Sequence, residues 1–305
     1  MSYDEQLLEL GFQAPEELAI GMQGAVYRLG QGKVAKVWFH AGEQELRTLA
    51  ELYDAIDGQL PFRTPRMLEL HRTGRYCVTV EEELPGVPLH TVAPAYGEPG
   101  WERARDCVVD VVEALAQVEA PEVLRRTAVL DETVPFRPEG VSWSEALTGL
   151  LRRRVARFGD QLAEVIDDFE AKFDSLLGQL TDVPRTRLVH GDVTAGNILV
   201  DGDLRPVTLL DFGLSTMVGD PAFEAASAAS VIDLWSPRVR EIEAAYDAAF
   251  TDRLGYDAVQ LLVYRCAYSL IIANAHDDDP YGRDSHLPLT AKLFNTPEVT
   301  ALLTR

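Results

Sequence analysis

The sequence predicts a two-lobed α+β protein in which a small antiparallel sheet with one helix precedes a larger, mainly helical part. Up to about residue 84, short runs of alternating apolar and polar residues are joined by glycine turns, as in antiparallel strands. The stretch EELPGVPL then interrupts the pattern with two prolines and a glycine, and long helical periodicities follow. We therefore expect lobes at residues 1–84 and 85–305, a hinge at about 82–88, and a ligand cleft between the lobes.

The first lobe begins with strand-like residues 18–39, which read LAIGMQGAVYRLG, a QGK turn and KVAKVWF. In the last of these strands, Val34, Lys36 and Trp38 share one face of the predicted sheet, and the residues between them share the other. An amphipathic helix is predicted at 43–56, because its leucines and Tyr53 fall on one side. Two further strands flank the RTG turn within residues 64–84.

The second lobe is predicted to be mainly helical. The expected helices span about residues 101–118, 143–158, 161–180, 222–234, 237–254 and 257–275. Strands are expected only in the segments RLVH, NILV and VTLLDFG.

Composition narrows the class of partner. A formal net charge of −21 disfavours nucleic acid and anionic membranes as partners, and the excess acid either serves solubility or lines a site for a cationic ligand. The three cysteines are widely spaced and suggest neither a disulfide framework nor a metal cluster. An acidic start and the lack of an apolar run of about 18 residues favour a cytoplasmic protein without a leader or a membrane span.

The stretch RLVHGDVTAGNILV carries the clearest chemistry. Asp192 and Asn197 are five positions apart on one loop, and Asp211 of LLDFG follows 14 positions later, at the end of a predicted hairpin. One carboxylate is left to accept a proton, while an amide oxygen and a second carboxylate converge as ligands that suit Mg²⁺. Each residue alone is more often a turn former or a strand end, but turn formation does not require the whole set.

The H-G-D-x-x-x-x-N pattern followed by D-F-G resembles the catalytic loop of protein-kinase-like phosphotransferases. HGD in place of the protein-kinase HRD is similar to the aminoglycoside phosphotransferase and choline kinase branch. This resemblance implies a protein-kinase-like fold, with ATP or GTP as phosphoryl donor. It also implies that Asp192 is the catalytic base and that Asn197 and Asp211 are ligands of Mg²⁺.

The resemblance extends to nucleotide-binding residues in the first lobe. Lys36 resembles the lysine that binds nucleotide phosphates, and Glu45 is its expected partner, with Glu43 and Glu51 as alternatives. The segment EEELPG resembles a hinge that binds a purine through its backbone, although its acids also suit a solvated charge run. AIGMQGAVY resembles a degenerate glycine-rich loop, with a plain hairpin turn as the alternative. The remaining candidate nucleotide-binding residues are Gly21, Gly24, Val26, Glu82, Glu83 and Leu84.

Departures from protein kinases indicate a small-molecule acceptor. Thr194 replaces a lysine, and the short run from DFG to GDP leaves no room for a peptide-docking segment, so no protein substrate is expected. Glu224 stands where this branch usually has an aspartate, which leaves its local role open. The loop NAHDDDPYGRDSH suits either a rim that binds substrate amines or a solvated turn. Its candidate substrate-binding residues are Asp277, Asp278, Asp279, Tyr281 and Asp284.

The expected function is transfer of the γ-phosphate to a hydroxyl of an antibiotic, most favourably an aminoglycoside or another amine-bearing compound. A metabolite alcohol such as choline, a sugar, homoserine or a nucleoside is the alternative acceptor. A catalytically inactive nucleotide-binding module is the third hypothesis. Loss of Lys36, Asp192, Asn197 or Asp211 would indicate it, and all four residues are present.

Overall fold

A computed structural model describes residues 3–21, 23–234, 236–273 and 286–304. The chain divides into two compact units, one made of Met1–Val92 and Gly196–Gly213, the other of Ala93–Ala195 and Leu214–Arg305. The first unit holds a five-stranded antiparallel sheet, and the second is mainly helical. The predicted α+β class is confirmed.

The first unit begins with five strands and two helices. These are α1 (Asp4–Glu9), β1 (Glu16–Ile20), β2 (Gly24–Gly30), β3 (Lys33–Trp38), α2 (Glu43–Ile56), β4 (Met67–Thr73) and β5 (Tyr76–Glu82). The strands form a sheet in the order β1-β2-β3-β5-β4. Ala35, Val37 and Val78 lie on one face and pack against the short helix α1, whereas Trp38 and Cys77 lie on the other and pack against α2. The predicted division of the third strand into two faces is therefore confirmed.

The sequence did not predict α1, because a six-residue helix is too short to show a period. The predicted helix at 43–56 is confirmed as α2, whose apolar side is buried at Leu46, Leu52, Tyr53 and Ile56.

A second, three-stranded sheet in the first unit has the order β6-β8-β9 and consists of β6 (Val87–Pro88), β8 (Ile198–Val200) and β9 (Pro206–Leu209). The short helix α3 (Leu89–Val92) follows β6. In the turn between β8 and β9, the Asp201 carboxylate accepts hydrogen bonds from the N–H groups of Asp203 and Arg205, both at 2.9 Å. The predicted hairpin is therefore confirmed, closed by an aspartate that caps its own turn.

The second unit is built on helices α7 and α9, which are buried along most of their length. A short antiparallel pair, β7 (Arg187–Val189) with β10 (Met217–Gly219), lies in the same unit. No described helix is both long and apolar enough to cross a bilayer. The helices are α4 (Trp101–Leu115), α5 (Trp143–Val165), α6 (Phe169–Gln179), α7 (Pro221–Val231), α8 (Val239–Leu254), α9 (Ala258–Ile272), α10 (His286–Phe294) and α11 (Pro297–Leu303).

Helix α5 corrects one prediction. A break between residues 158 and 161 was expected at Gly159 and Asp160, but the helix continues to Val165. Phe158 and Leu162 on either side of Gly159 are buried, and their burial outweighs the roughly 1 kcal/mol that a mid-helix glycine costs. The chain breaks instead before α6 at Asp168, which adopts a left-handed conformation with φ +52°.

Candidate active site

Asp211 lies in the first unit, two residues beyond strand β9. The Leu210 N–H donates to the Asn197 carbonyl at 2.8 Å, so the hairpin brings the backbones of the two predicted Mg²⁺ ligands close together. Asp211 itself has φ +57°, a left-handed conformation that costs about 1–3 kcal/mol for a residue with a side chain. Strain of this size persists only where the surrounding structure fixes the backbone.

Lys36 pairs with Asp211 across 175 positions of sequence, with 3.0 Å between Nζ and Oδ1. The ammonium also lies 4.0 Å from the ring centroid of Trp38, within range of a cation–π interaction. The Lys36 side chain is 12% exposed, whereas that of Asp211 is 46% exposed. The structure thus joins the predicted phosphate-binding lysine to the predicted metal ligand.

The carboxylates proposed as partners of Lys36 behave differently. Glu45 accepts a hydrogen bond from the Gly42 N–H at 3.3 Å, at the start of its own helix, and Glu43 pairs with Arg47 at 2.6 Å. Within the described ranges, the ion pair of Lys36 is formed with Asp211 and not with Glu45.

The acidic side chains of the predicted hinge form ion pairs with arginines. The Glu82 carboxylate pairs with Arg63 at 2.8 Å and with Arg66 at 3.2 Å, and the Glu83 carboxylate pairs with Arg28 at 2.7 Å. These side chains therefore form defined ion pairs within the first unit.

Two backbone N–H groups of the predicted hinge also form hydrogen bonds within the protein. The Glu83 N–H donates to Gly32 O at 2.8 Å and the Glu82 N–H donates to Arg66 O at 3.3 Å. Of the three amides of the predicted hinge, those of Glu82 and Glu83 thus donate to backbone carbonyls of the protein.

The predicted glycine-rich loop is the β1–β2 hairpin, closed by a 2.9 Å hydrogen bond from Gly21 N–H to Gly24 O. A Cβ on Gly24 would lie 2.3 Å from Val37 O, so glycine is required for the close approach of β3. A Cβ on Gly21 would meet no described atom within 4 Å. Val26 lies opposite Lys36 in the sheet, on the same face.

Asp192 lies in the second unit, since the boundary between units falls after Ala195. Its N–H donates to Nδ1 of His190 at 3.2 Å, and its carbonyl accepts the Thr194 N–H at 2.9 Å. Gly191 has φ +76°, and a Cβ there would lie 2.4 Å from Ser215 O. Any side chain at position 191 would therefore meet both an unfavourable backbone conformation and a steric clash with Ser215.

Glu224 fixes the same loop from helix α7. Its carboxylate accepts the N–H groups of His190 and Gly191, the latter at 3.1 Å, and the residue is 1% exposed. Burial raises the pKa of Glu224 to about 7, against the two backbone hydrogen bonds, which lower it. The sequence left the role of this residue open, and its position four residues after the Asp220 N-cap of α7 was the available signal.

The neighbourhood of Glu224 is apolar and aromatic. Tyr268 is buried, donates its hydroxyl to Gly191 O at 3.4 Å, and has a raised pKa because of its burial. Asp220 accepts the Ala222 N–H at 3.0 Å and the Tyr264 hydroxyl at 2.7 Å. The GDP turn is thus anchored to α9 and holds Glu224 below the loop that carries Asp192.

The five candidate acceptor-binding residues, Asp277, Asp278, Asp279, Tyr281 and Asp284, lie outside the described residues. Their predicted role therefore stays a prediction. Among the described residues there is no cluster of three or more histidine, cysteine or acidic side chains suited to a metal ion. The predicted ligand pair of one amide and one carboxylate is smaller than such a cluster.

An antiparallel sheet with a lysine paired to the DFG aspartate, and a helical unit with a braced HGD loop, define a phosphotransferase of the protein-kinase-like class. Residues 16–262 match the model of the phosphotransferase enzyme family APH, and the chain belongs to this family. The protein is therefore an enzyme of the phosphotransferase class.

Solved structures of similar fold include three antibiotic phosphotransferases. The ternary complex of a thermostable mutant of aminoglycoside phosphotransferase APH(4)-Ia with ADP and hygromycin B has TM-score 0.69 and 19% identity, covering 99% of this chain and 98% of that one. The GDP complex of wild-type aminoglycoside 2'-phosphotransferase-IIIa has TM-score 0.64 and 14% identity, with 96% of each chain covered. Macrolide 2'-phosphotransferase MphH from Brachybacterium faecium has TM-score 0.59 and 18% identity, covering 97% and 99%. No curated protein sequence matches the chain significantly.

Proposed function

We propose that the protein transfers the γ-phosphate of ATP or GTP to a hydroxyl of a small antibiotic, most favourably an aminoglycoside or another amine-bearing compound. The observation that carries this proposal is the Lys36–Asp211 ion pair, at 3.0 Å, in a member of the APH family. The proposal gives Lys36 the role of a phosphate-binding cation and Asp211 that of a metal-binding carboxylate, and their contact supports both roles.

Lys36 is suited to bind phosphate because its ammonium is largely shielded from water and is held by Trp38 and Asp211. Shielding strengthens its attraction to a phosphate oxygen. We assign the remaining nucleotide contacts to the β1–β2 hairpin and to the backbone of the hinge at 82–88, where Leu84 supplies the N–H.

The donor set of Asn197 and Asp211 fits Mg²⁺. An amide oxygen and a carboxylate are hard ligands, and the Asp211 carboxylate is about half exposed, so water and phosphate oxygens have room to complete a coordination shell. When bound there, Mg²⁺ would neutralise phosphate charge. Asn197 and Asp211 would hold it.

Asp192 is proposed to orient the acceptor hydroxyl and take its proton. The backbone of the loop that carries it is held by hydrogen bonds to Glu224 and to the ring of His190. Positioning of this kind, with stabilisation of the phosphate charge, supplies most of the acceleration in phosphoryl transfer.

The acceptor class rests on charge and on the similar structures. The net charge of −21 favours a cationic ligand, and APH(4)-Ia was solved with hygromycin B. Phosphorylation of a metabolite alcohol is the second candidate, since the described site residues act on the nucleotide and the hydroxyl alone. A cytoplasmic location would supply the nucleotide, and neither nucleic acid, membrane nor protein is proposed as a partner.

A phosphate-transfer screen tests the proposal. The full chain is incubated with MgATP or MgGTP and single aminoglycosides, macrolides, choline, sugars, homoserine or nucleosides, and phosphorylated product is measured by mass spectrometry. We expect an acceptor-dependent product that forms at least about 100-fold more slowly in Asp192→Asn. If no such product forms with any acceptor and either nucleotide, the result would favour the hypothesis of a catalytically inactive nucleotide-binding module.

A further inference from the structure

A second carboxylate, that of Glu81 on β5, belongs to the surroundings of Lys36. Lys36 lies directly opposite Thr79, and Val34 lies opposite Glu81. Side chains alternate along a strand and directly opposed residues share a face, so Glu81 is the next residue on the face that carries Lys36. Diagonal neighbours of this kind are roughly 7–8 Å apart, within reach of long side chains.

A directional hydrogen-bond chain connects Glu81 with the packing around Lys36. The Trp38 indole N–H donates to Thr79 Oγ1 at 3.0 Å, and Thr79 Oγ1 lies 2.7 Å from Glu81 Oε1. Since an indole only donates, the Thr79 hydroxyl accepts from Trp38 and donates its own hydrogen to Glu81. The same Trp38 ring lies 4.0 Å from Lys36 Nζ. Glu81 is therefore held as an acceptor by Thr79, which in turn is bonded to the tryptophan packed on Lys36.

The charges of both members of the ion pair act on the Glu81 carboxyl. Burial raises the pKa of the Glu81 carboxyl, the Thr79 hydrogen bond and the charge of Lys36 lower it, and the charge of Asp211 raises it. Lys36 is thus influenced by two carboxylates, one in direct contact and one on its own sheet face.

The two carboxylates are not equivalent. Asp211 is about half exposed and is the proposed metal ligand, so a cation bound there would compete with Lys36 for it. Glu45, the helix carboxylate expected to hold the lysine, binds the start of its own helix. Glu81 is not a proposed metal ligand, and its described hydrogen bond comes from Thr79 and not from a helix start.

We propose that Glu81 is a positioning residue that, together with Thr79, holds the Lys36 ammonium towards the nucleotide phosphates in place of Glu45 of helix α2. The proposal rests on the nucleotide-binding part of the proposed function. Glu81 acts through Lys36 and not on the phosphates themselves.

The test compares Glu81→Gln with Glu69→Gln in the full chain, by calorimetric titration with ATP and with adenosine. Glu69 is a matched control, since it lies on the neighbouring strand β4 and pairs with Lys33 at 3.6 Å. We expect Glu81→Gln to weaken ATP about tenfold while adenosine, which has no phosphates, binds as before. Glu69→Gln should change neither affinity.

A double-mutant cycle with Lys36→Met shows whether Glu81 acts through the lysine. Glu81→Gln should have no further effect on ATP affinity in the Lys36→Met background. Equal loss of ATP and adenosine affinity, or an unchanged Glu81→Gln effect without Lys36, would overturn the proposal. So would a larger ATP-specific loss in Glu45→Gln than in Glu81→Gln.

Two further readouts separate the possible failures. If Glu81→Gln does not fold, as judged by its melting temperature, Glu81→Asp keeps the charge and should lose ATP affinity by a smaller factor; an unchanged affinity in that variant would count against the proposal. If the wild-type chain binds ATP but phosphorylates no acceptor, the proposed function fails while the Glu81 test proceeds unchanged. Absence of ATP and GTP binding by the wild type overturns both.

Discussion

The buried carboxylate of Glu224 accepts the backbone N–H of Gly191 at 3.1 Å. The contact joins the helix that follows the GDP turn to the loop that carries Asp192, with the His190 N–H as a second donor. The Glu224 side chain therefore holds the backbone directly before the proposed catalytic base.

Stability should fall as pH rises because of Glu224. Its pKa in the folded state, about 7, exceeds its ordinary value of 4.5, so the folded state binds the extra proton between these pH values. The stabilisation is complete below pH 4.5 and is lost as pH rises through about 7. We expect the free energy of unfolding in urea to fall between pH 5 and pH 8.5 by roughly 2–3 kcal/mol more in the wild type than in Glu224→Gln. Parallel curves for the two proteins would contradict the assignment, and the exposed Glu102→Gln should follow the wild type.

Gly191→Ala should lower the stability of the folded protein. The added Cβ would lie 2.4 Å from Ser215 O on a residue with φ +76°, and the strain should cost about 2 kcal/mol or more. Gly178→Ala is the matched control, because a Cβ there meets nothing within 4 Å and lies in a helix. Thermal melts should show a lower Tm for the first variant and an unchanged or higher Tm for the second. Equal stability of both would show that the loop tolerates a side chain.

Lys36→Met should reduce kcat/KM by about 100-fold, because it removes a shielded cation from the phosphate site. Lys33→Met is the control on the same strand, since Lys33 is 42% exposed and pairs with Glu69. Steady-state kinetics with varied nucleotide would measure the effect. Similar losses in both variants would point to general charge and not to a phosphate contact.

Asp192→Asn should lower kcat by about 10²–10⁴ while nucleotide affinity stays within a factor of about two. The amide keeps the shape of the side chain and loses its ability to take a proton. Product formation and nucleotide titration are measured on the same preparation, with Asp203→Asn, in the exposed β8–β9 turn, as control. Near-normal turnover on the true acceptor would remove Asp192 from the role of base.

The site residues divide according to how local their signals are. Asp192, Asn197 and Asp211 were found because their spacing along the chain is itself the signal, and the hairpin between the last two has its own turn residues. The expected partner of Lys36 was placed on α2, whereas the structure gives Asp211 the contact and leaves Glu45 at its helix start. A helical period shows which face of α2 is buried, but it does not rank the carboxylates around a lysine by distance.

The α+β class, the sheet with its two faces, most of the helices and the loop with the HGD motif can be predicted from the sequence, because they depend on short-range periods and turn residues. Three features depend on the folded structure: the continuation of α5 over Gly159, the pairing of Lys36 with Asp211 and the hydrogen bond from Gly191 to Glu224. Each of these depends on burial or on distances between residues far apart in the chain. Those quantities arise only when the segments pack together, and the free energy of that packing outweighs the local preferences from which the sequence was interpreted.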